Sequence, residues 1–567
     1  MKEGSFAGEM NSPQLRGMHR AMILRRAIFF SVVGGIAVAL VWLVARAMSP
    51  GGFSVFEVLT LAAFAGTAPW TALCAANAIL GFFLLMGSRD APGLVLPALR
   101  LIRPGPPAGH TAIIVCIRRE DMAEVLPPLD ALLDGLRGRG DFSLWFLSDT
   151  PADAAAAEEA AIAEFATRHP RVHYRRRAEN TGFKAGNVMD FCDNHAGDAE
   201  FMLCLDADSE MSAEAVLRLV ACMEADSKLA IVQQLIVGRP ASAAFPRLFQ
   251  FGMRAGMRTW ATGQAWWQGD EGPYWGHNAI IRIAPFREHA RLEPLPDGTP
   301  ILSHDQVEAV RLHAAGWKVA ALPIEAGSME GNPPALPEFM ARDLRWGAGN
   351  MQYFSLLRLP GMTWMGRWQL VQAILLFAGS PLWVAVLVFS VGNAVVGGAT
   401  DKPALALAML GTWGALHAPK LLGYAEVMLK PALAAKYGGR AQFAQGAGLE
   451  LAFTTLLDPV SVFNKAMFLA ALPFRRLRGW AVQNRADRGV SWWDAGRLLW
   501  PHTLFGLVVF AVLPLSAWPW ALPWVVGLLV CVPLCVVTSS PAVSAWLRGR
   551  GLAATPEEIT PPAARRP

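Results

Sequence analysis

The chain has 567 residues and a mass of 61.3 kDa, with 53% hydrophobic residues, 17% charged residues and a mean hydropathy of +0.32. This composition excludes a simple cytosolic enzyme, because soluble domains carry about a quarter charged residues. The net charge of +5 does not indicate a nucleic-acid partner, since the Lys and Arg residues lie beside apolar segments rather than in one stripe. The seven cysteines contain no CxxC pair, which gives no sign of a zinc site or a disulfide framework.

Two apolar runs near the N-terminus predict the first pair of membrane helices. The run at 27–45 follows a basic leader, and it is too long for the apolar core of a signal peptide, which is the alternative interpretation. The run at 55–86 is interrupted at Gly66 and Pro69, so we expect the span in its later part, at 67–86. The loop between the two helices carries a single basic residue and is expected to face outward.

Four more apolar runs follow the charged middle of the chain and predict further membrane helices. They cover Leu370 to Val396, Ala404 to Leu422, Leu504 to Trp518, and Pro523 to Val537. The segment Leu449 to Leu472 has basic residues on both sides (Arg440 before it; Arg475, Arg476 and Arg478 after it), so we expect an interfacial or re-entrant helix there. The sequence therefore predicts six spans with both termini inside, or eight if the long runs are hairpins.

These runs divide the chain into predicted segments. They are a basic cytoplasmic leader at 1–26, two transmembrane helices at 27–87, a cytoplasmic catalytic domain at 88–367, two transmembrane helices at 368–430, cytoplasmic or interfacial helices at 431–500, two transmembrane helices at 501–540, and a cytoplasmic tail at 541–567.

Short β-rich runs alternate with helical patterns in the segment at 88–367. Alternation of this kind predicts βαβ crossovers and a mostly parallel α/β sheet with flanking helices, which binds ligands beyond the carboxyl ends of its strands. The predicted strands are Thr111–Ile117, Ser143–Ser148, Val172–Tyr174, Phe201–Leu205 and Leu229–Gln234, and the clearest helices are Ala152–Arg168 and Ala213–Ala225.

Acidic residues follow two of these strands directly. Asp149 follows the second strand, and Asp206 and Asp208 follow the fourth, one residue apart on a tight turn. Carboxylates in this position suit a hard divalent cation that bridges substrate phosphates. The alternative is a solvated turn that caps the helix beginning near Ala213. There is no Walker loop or GxGxxG near the strands, which disfavours kinases and dehydrogenases.

Three further motifs occur in order along the chain. They are Thr181-Gly182-Phe183-Lys184-Ala185-Gly186-Asn187, then Leu302-Ser303-His304-Asp305, then Arg342-Asp343-Leu344-Arg345-Trp346. Each also has a structural interpretation: a glycine turn that starts a helix, a helix cap provided by Ser303 or Asp305, and an interfacial Arg and Trp pair before a membrane helix.

Together with the Asp206 and Asp208 turn, these motifs resemble the family 2 glycosyltransferases, which have the GT-A fold. The phrases Tyr274 to Arg282, Leu302 to Ala309, Gln483 to Arg488 and Ser491 to Ala495 further resemble the glucan biosynthesis glucosyltransferase H family, synthases of osmoregulated periplasmic glucans, also called membrane-derived oligosaccharides. The resemblance covers about residues 20–500.

The resemblance implies a role for each site residue. Asp206 and Asp208 would hold Mg²⁺ or Mn²⁺, and Asp305 would act as the catalytic base on the acceptor hydroxyl. The nucleotide would be held by Asp149, Lys184, Asp206, Glu120 and Arg345. The acceptor would be contacted by Trp346, Arg342, Trp275 and His277. The run Arg118-Arg119-Glu120-Asp121 stands where an Asn and Glu pair is more usual in the family.

The implied activity is that of a hexosyltransferase of the bacterial inner membrane, with UDP-glucose as donor and inversion at the anomeric carbon. The product would be a β-linked glucan, with a β-1,2 backbone, that the same spans translocate. The implied partners are UDP-glucose, a glucan acceptor, the lipid bilayer and periplasmic glucan-modifying proteins. The alternatives are a related family 2 synthase of another polysaccharide, and a transporter or scaffold that only binds a nucleotide.

Overall fold

The computed structural model describes residues 13–474 and 488–560. Four parts of the sequence interpretation therefore lie outside the described residues. They are the first twelve residues of the basic leader, the cluster of Arg475, Arg476 and Arg478, the segment from Gln483 to Asp487, and the last seven residues of the tail.

A seven-stranded sheet forms the centre of the domain between the apolar regions. Its strand order is β3-β2-β1-β4-β8-β6-β9, and every neighbouring pair is parallel except the two pairs made by β8. A small sheet, β5-β10-β7, lies beside it. The strands are β1 (His110–Ile117), β2 (Asp141–Ser148), β3 (Val172–Arg176), β4 (Phe201–Asp206), β5 (Glu210–Met211), β6 (Leu229–Gln234), β7 (Val237–Gly238), β8 (Ala279–Arg282), β9 (Lys318–Leu322) and β10 (Ser328–Glu330).

The prediction of a mostly parallel α/β sheet with flanking helices is confirmed, as expected of a GT-A-like domain. The five predicted strands all form and differ by two residues at most at their ends. The sheet is buried on both faces, since alternate residues of β1 enter different cores: Ile113 and Val115 pack on one side, and Ala112 and Ile114 on the other. Burial on both faces produces the continuous apolar runs that made these strands visible in the sequence.

Helices cover the sheet and form the apolar part of the molecule. They are α1 (Pro13–Met48), α2 (Val55–Gly87), α3 (Ala91–Val95), α4 (Met122–Leu136), α5 (Ala152–Arg168), α6 (Phe183–Asn194), α7 (Ala213–Ala225), α8 (Ala244–Gln268), α9 (Ile283–His289), α10 (Asp305–Ala314), α11 (Leu336–Met351), α12 (Tyr353–Leu356), α13 (Trp364–Val395), α14 (Lys402–Leu429), α15 (Pro431–Lys436), α16 (Arg440–Ala471), α17 (Trp492–Val512), α18 (Trp518–Leu529), α19 (Cys531–Thr538), α20 (Pro541–Gly549) and α21 (Pro556–Ile559).

Among the described residues, five helices are long and apolar enough to cross a membrane, and a sixth span results if one bent pair counts as a single crossing. The bent pair turns by 50° between Leu515–Leu529 and Cys531–Thr538. The five helices are His19–Met48, Val55–Gly87, Trp364–Val395, Arg440–Phe474 and Trp492–Val512. These helices support a multi-pass membrane protein. Helix α14 covers the expected span at 404–422 but is not among the five.

Three predicted segments differ from the structure. Helix α2 runs without a break through Gly66 and Pro69, because a helix tolerates a proline where neighbouring side chains and helices compensate. The run at 504–518 does not form one helix, because α17 ends at Val512, just before Pro514. The segment at 449–472, expected to be interfacial or re-entrant, is continuous helix as far as Ala471 and belongs to one of the five helices long and apolar enough to cross a membrane.

Helix α8 joins the catalytic domain to the apolar helices. It contacts β7 and β9 of the domain, and also α2, α14 and α16. Glycines permit this close approach: a Cβ on Gly263 would overlap the backbone of Asn77 in α2, and a Cβ on Gly423 of α14 would overlap the backbone of Ala255 in α8. Small residues at such crossings are typical of helices packed in membranes.

We expect that Gly263→Ala will destabilise the joint between α8 and α2. The added methyl meets backbone rather than a movable side chain, so the cost should be about 1–3 kcal/mol, as for other overpacked sites. The measurement is the apparent melting temperature of the purified protein in detergent. Gly414→Ala is the matched control, because nothing lies within 4 Å of a Cβ at that helical position. Equal melting temperatures for both variants would contradict the proposed role of Gly263.

Candidate active site

The carboxyl ends of neighbouring strands bring the predicted site residues to one edge of the sheet. Asp149 lies directly after β2, and Asp206 is the last residue of β4. Strands β1, β2 and β4 are adjacent and parallel, so these carboxylates lie at the same edge. Lys184 reaches this edge from the start of α6, and Asp305 from the start of α10.

Lys184 contacts Asp206 directly. Its ammonium group forms an ion pair with Oδ1 of Asp206 and donates a second hydrogen bond of 2.8 Å to the carbonyl oxygen of Gly276. The turn that aims Lys184 is left-handed at two successive residues, with φ of 70° at Gly182 and 51° at Phe183. The Thr181–Asn187 motif therefore contains both the glycine turn and Lys184, the site residue that this turn directs toward Asp206.

The charge of Lys184 is stabilised by its surroundings. Burial lowers the pKa of Lys184, but the nearby Asp206 carboxylate more than offsets burial, so the pKa lies above its ordinary value. The ammonium group is therefore a fixed positive charge at neutral pH, next to the carboxylate of Asp206.

Asp208 lies two residues beyond Asp206 and close to the residues of β10. A Cβ on Gly331 would lie 3.2 Å from Oδ2 of Asp208. Neither Asp206 nor Asp208 caps the following helix, because the side chain of Ser212 accepts the capping hydrogen bond from Ala215. The alternative interpretation of this turn as a helix cap is therefore wrong.

These two carboxylates fit a site for a divalent cation whose coordination a substrate completes. Within residues 13–474 and 488–560, no group of three or more His, Cys, Asp or Glu side chains is arranged to hold a metal ion alone. Mg²⁺ is commonly bound by one or two carboxylates together with substrate phosphates, which matches the oxygen donors of Asp206 and Asp208.

His277 contacts Glu330 on one side and Ser209 of the Asp206 turn on the other. Its Nε2 is 3.3 Å from Oε2 of Glu330, and its Nδ1 is 3.3 Å from the hydroxyl of Ser209. Burial lowers the pKa of His277, but Asp206 and Glu330 raise it more strongly, to about 9. His277 is therefore a cation at neutral pH. Glu330 was not predicted, because a carboxylate at the end of a three-residue strand carries no distinctive sequence signal.

Asp305 begins helix α10 and faces the turn that Lys184 contacts. A Cβ on Gly276, whose φ is 89°, would lie 3.4 Å from Oδ2 of Asp305. The residue at the N-cap position is His304, without a side-chain capping bond, so the predicted caps at Ser303 and Asp305 are wrong. His304 instead contacts the buried Glu308 one turn further along, at 3.1 Å.

The residues of the third motif lie on α11. The guanidinium of Arg342 is buried and stacks 4.6 Å from the ring centre of Trp346, which is 50% exposed. Arg345 is half-buried on the same helix. Trp275, the remaining predicted acceptor contact, packs beside a small cluster that includes Leu235 and donates its backbone N–H to Gln233. The exposed ring on α11 is therefore that of Trp346.

Asp149, a predicted nucleotide contact, is held in a two-point ion pair with Arg177, at 2.7 and 2.9 Å. Arg177 was not predicted, because the run of basic residues at 175–177 resembles a solvated strand end. Glu120 is half-buried after β1, and the neighbouring Asp121 caps α4 through a hydrogen bond from Ala123.

Comparisons with known proteins agree on the class of enzyme. Residues 201–422 match the family described as Glycosyl transferase family group 2. The glucans biosynthesis glucosyltransferase H of Rhodopseudomonas palustris is 32% identical, over 98% of this chain and 80% of the relative. The protein of the same name from Xanthomonas campestris pv. campestris is also 32% identical, over 99% of this chain and 91% of the relative.

Solved structures give only a weak likeness. A mannosyltransferase from Pyrobaculum calidifontis in complex with GDP-Man and Mn²⁺ is 16% identical, with a TM-score of 0.40, over 62% of this chain and 98% of that chain. A TM-score this low supports no conclusion about the site.

We expect the positive charge of His277 to strengthen binding of UDP up to about pH 9 and to be lost above it. The raised pKa means that the attraction is fully present at pH 7.5 and declines as the pH rises through about 9. One charge at close range contributes on the order of 1–4 kcal/mol, so His277→Gln should weaken UDP binding about tenfold at pH 7.5.

The measurement is the ratio of UDP dissociation constants for His277→Gln and wild type between pH 7.5 and 10, by titration calorimetry. Ionisation of the uracil ring of UDP changes both dissociation constants equally, so it does not affect their ratio. It should fall toward one above pH 9, whereas a ratio independent of pH would contradict a cationic His277.

Proposed function

Because the chain belongs to the glucans biosynthesis glucosyltransferase H family, and is a family 2 glycosyltransferase, we propose that it polymerises glucose from UDP-glucose into an osmoregulated periplasmic glucan. We further propose a β-1,2 backbone, a location in the bacterial inner membrane and a catalytic domain on the cytoplasmic side. The observation that carries the proposal is one cluster, in which Lys184 pairs with Asp206 while Asp305 lies across Gly276 from them.

The donor side of the reaction uses the charges at the end of β4. Asp206 and Asp208 would hold Mg²⁺ or Mn²⁺, which would supply Lewis-acid stabilisation of the diphosphate leaving group. Lys184 and the cationic His277 place two further positive charges at this edge, where negative charge develops as the bond to the sugar breaks. Asp149 would accept a hydrogen bond from the nucleobase.

The acceptor side depends on Asp305. As a general base, its carboxylate would take the proton of the attacking hydroxyl while the oxygen bonds to the anomeric carbon and UDP leaves from the opposite face. The position of Asp305 in the first turn of α10 favours the ionised form through the helix dipole. Trp346 would stack on the acceptor sugar, and Arg342 holds its ring through the cation–π contact.

Export of the glucan through the apolar helices is the further part of the proposal. A polymer of hydroxyl groups needs a polar passage, and a charged side chain facing lipid is costly. Helix α16 has a polar face: Asp458, which is 48% exposed, pairs with His417 of α14, and Lys465 pairs with Asp343 of the α11 motif. This face begins beside the acceptor residues, which supports a passage that starts at the site of transfer.

The proposed function is tested by transfer of radiolabelled glucose from UDP-glucose in membranes that contain the protein, followed by linkage analysis. We expect a β-1,2-linked product from wild type. Asp305→Asn should reduce transfer by at least 10²-fold, in the range for loss of a general base, while the UDP dissociation constant changes little. A different linkage would retain the chemistry and overturn the product assignment. UDP binding without transfer by wild type would favour the transporter or scaffold alternative.

Activity should depend on a divalent cation. We expect EDTA to stop transfer and Mg²⁺ or Mn²⁺ to restore it, because Asp206 and Asp208 are oxygen donors suited to those ions. Asp208→Asn should require a higher Mg²⁺ concentration for half-maximal activity, since one carboxylate ligand is lost. Glu159→Gln, which changes an exposed carboxylate on α5, is the matched control. Undiminished turnover in EDTA would contradict the proposed metal site.

A further inference from the structure

The guanidinium of Arg177 connects the two parts of the predicted nucleotide site. Its Nε and Nη2 donate to Oδ1 and Oδ2 of Asp149, at 2.7 and 2.9 Å. Both side chains are largely buried, with 11% of Arg177 and 7% of Asp149 exposed. A buried two-point pair of this kind fixes the plane of the carboxylate as well as its position.

The same guanidinium holds the turn that precedes Lys184. Its Nη1 donates to the carbonyl oxygen of Thr181 at 2.9 Å, and its Nη2 donates to that of Phe183 at 3.0 Å. Those carbonyls flank the left-handed residues Gly182 and Phe183. A non-glycine residue with positive φ is disfavoured unless its surroundings hold it, and Arg177 supplies that restraint.

The hydrogen bonds of Arg177 are directed mainly to the protein. A guanidinium has five N–H groups, and protein acceptors take at least four of those of Arg177. Asp149, in contrast, accepts only one bond from Arg177 at each oxygen, and a carboxylate has about four acceptor positions. The free acceptor capacity therefore lies on Asp149.

We infer that Arg177 is a positioning residue that determines nucleobase selectivity: it fixes Asp149 to accept the imide N–H of uracil and holds the turn that directs Lys184 to the diphosphate. Uracil presents an N–H at the ring position where cytosine presents a lone pair, so a fixed carboxylate attracts uracil and repels cytosine. This inference rests on the proposed function, because it takes a uridine nucleotide as the ligand.

A second buried network, made of hydrogen bonds to Glu158, holds the residues next to Asp149. The carboxylate of Glu158 accepts hydrogen bonds from Thr150 and Tyr174, at 2.7 and 3.0 Å, and also from the hydroxyl of Ser148. The residues on either side of Asp149 are therefore fixed independently of Arg177. A change at Arg177 should release the Asp149 carboxylate and the Lys184 turn without unfolding the strand end.

The test is binding of UDP and CDP to the full-length protein in detergent, by titration calorimetry. Arg177→Lys keeps the charge but cannot form the two-point pair, and we expect at least a tenfold weaker UDP affinity and a loss of most of the preference for UDP over CDP. Arg176→Lys is the matched control, because Arg176 pairs at the surface with Glu159. Its UDP affinity should stay within twofold of wild type, with an unchanged melting temperature.

The outcomes separate the inference from the function on which it rests. If wild type does not bind UDP, the proposed function fails. If wild type binds UDP and Arg177→Lys keeps both its affinity and its selectivity, the positioning role of Arg177 alone is overturned.

If Arg177→Lys does not fold, the double variant Asp149→Asn with Arg177→Gln leaves no charge buried alone. That variant should lose UDP selectivity, and wild-type selectivity in it would also overturn the inference.

Discussion

Close backbone contact between α8 and the apolar helices is the constraint on which the rest of the structure depends. Helix α8 belongs to the catalytic domain, yet glycines at Gly263 and Gly256 bring it against α2 and α14. The helix also carries the buried Arg247 and Arg254, whose charges are paired with Glu558 and Glu557 near the end of the described chain. The joint is therefore packed and charge-compensated, and it fixes the catalytic domain relative to the apolar helices.

Charge compensation also organises the site. Buried or half-buried charges are costly unless they are paired, and each cation here has an acidic neighbour: Lys184 has Asp206, His277 has Glu330, and Arg177 has Asp149. The pairs differ in their proposed roles. Arg177 would fix the nucleobase end through its contacts with the protein, whereas Lys184 and Asp206 would face the phosphates and the cation.

The sequence predicted the fold better than the contacts of the site. Strands such as β1 and β4 were visible because burial on both faces makes them continuously apolar. Strand β8 was missed because four residues in an antiparallel position have no distinctive period. The motifs located Lys184, Asp206 and Asp305, but the pairing of Lys184 with Asp206 depends on the turn at Gly182 and Phe183. The bounds of the apolar helices were predicted less accurately than those of the strands. For example, the hydropathy pattern gave no sign that α2 continues as one helix through Pro69.

The proposed acceptor motif contacts the apolar helices in a way that its sequence does not reveal. Within Arg342 to Trp346, Arg342 and Trp346 stack on each other, while Asp343 between them pairs with Lys465 and Ser461 of α16. Successive residues of a helix point in different directions, so one short motif can serve the site and the bundle together. A shift of α16 would move α11 and with it the exposed ring of Trp346. The position of the proposed acceptor residues is thus set by the apolar helices, while that of the proposed donor residues is set by the sheet.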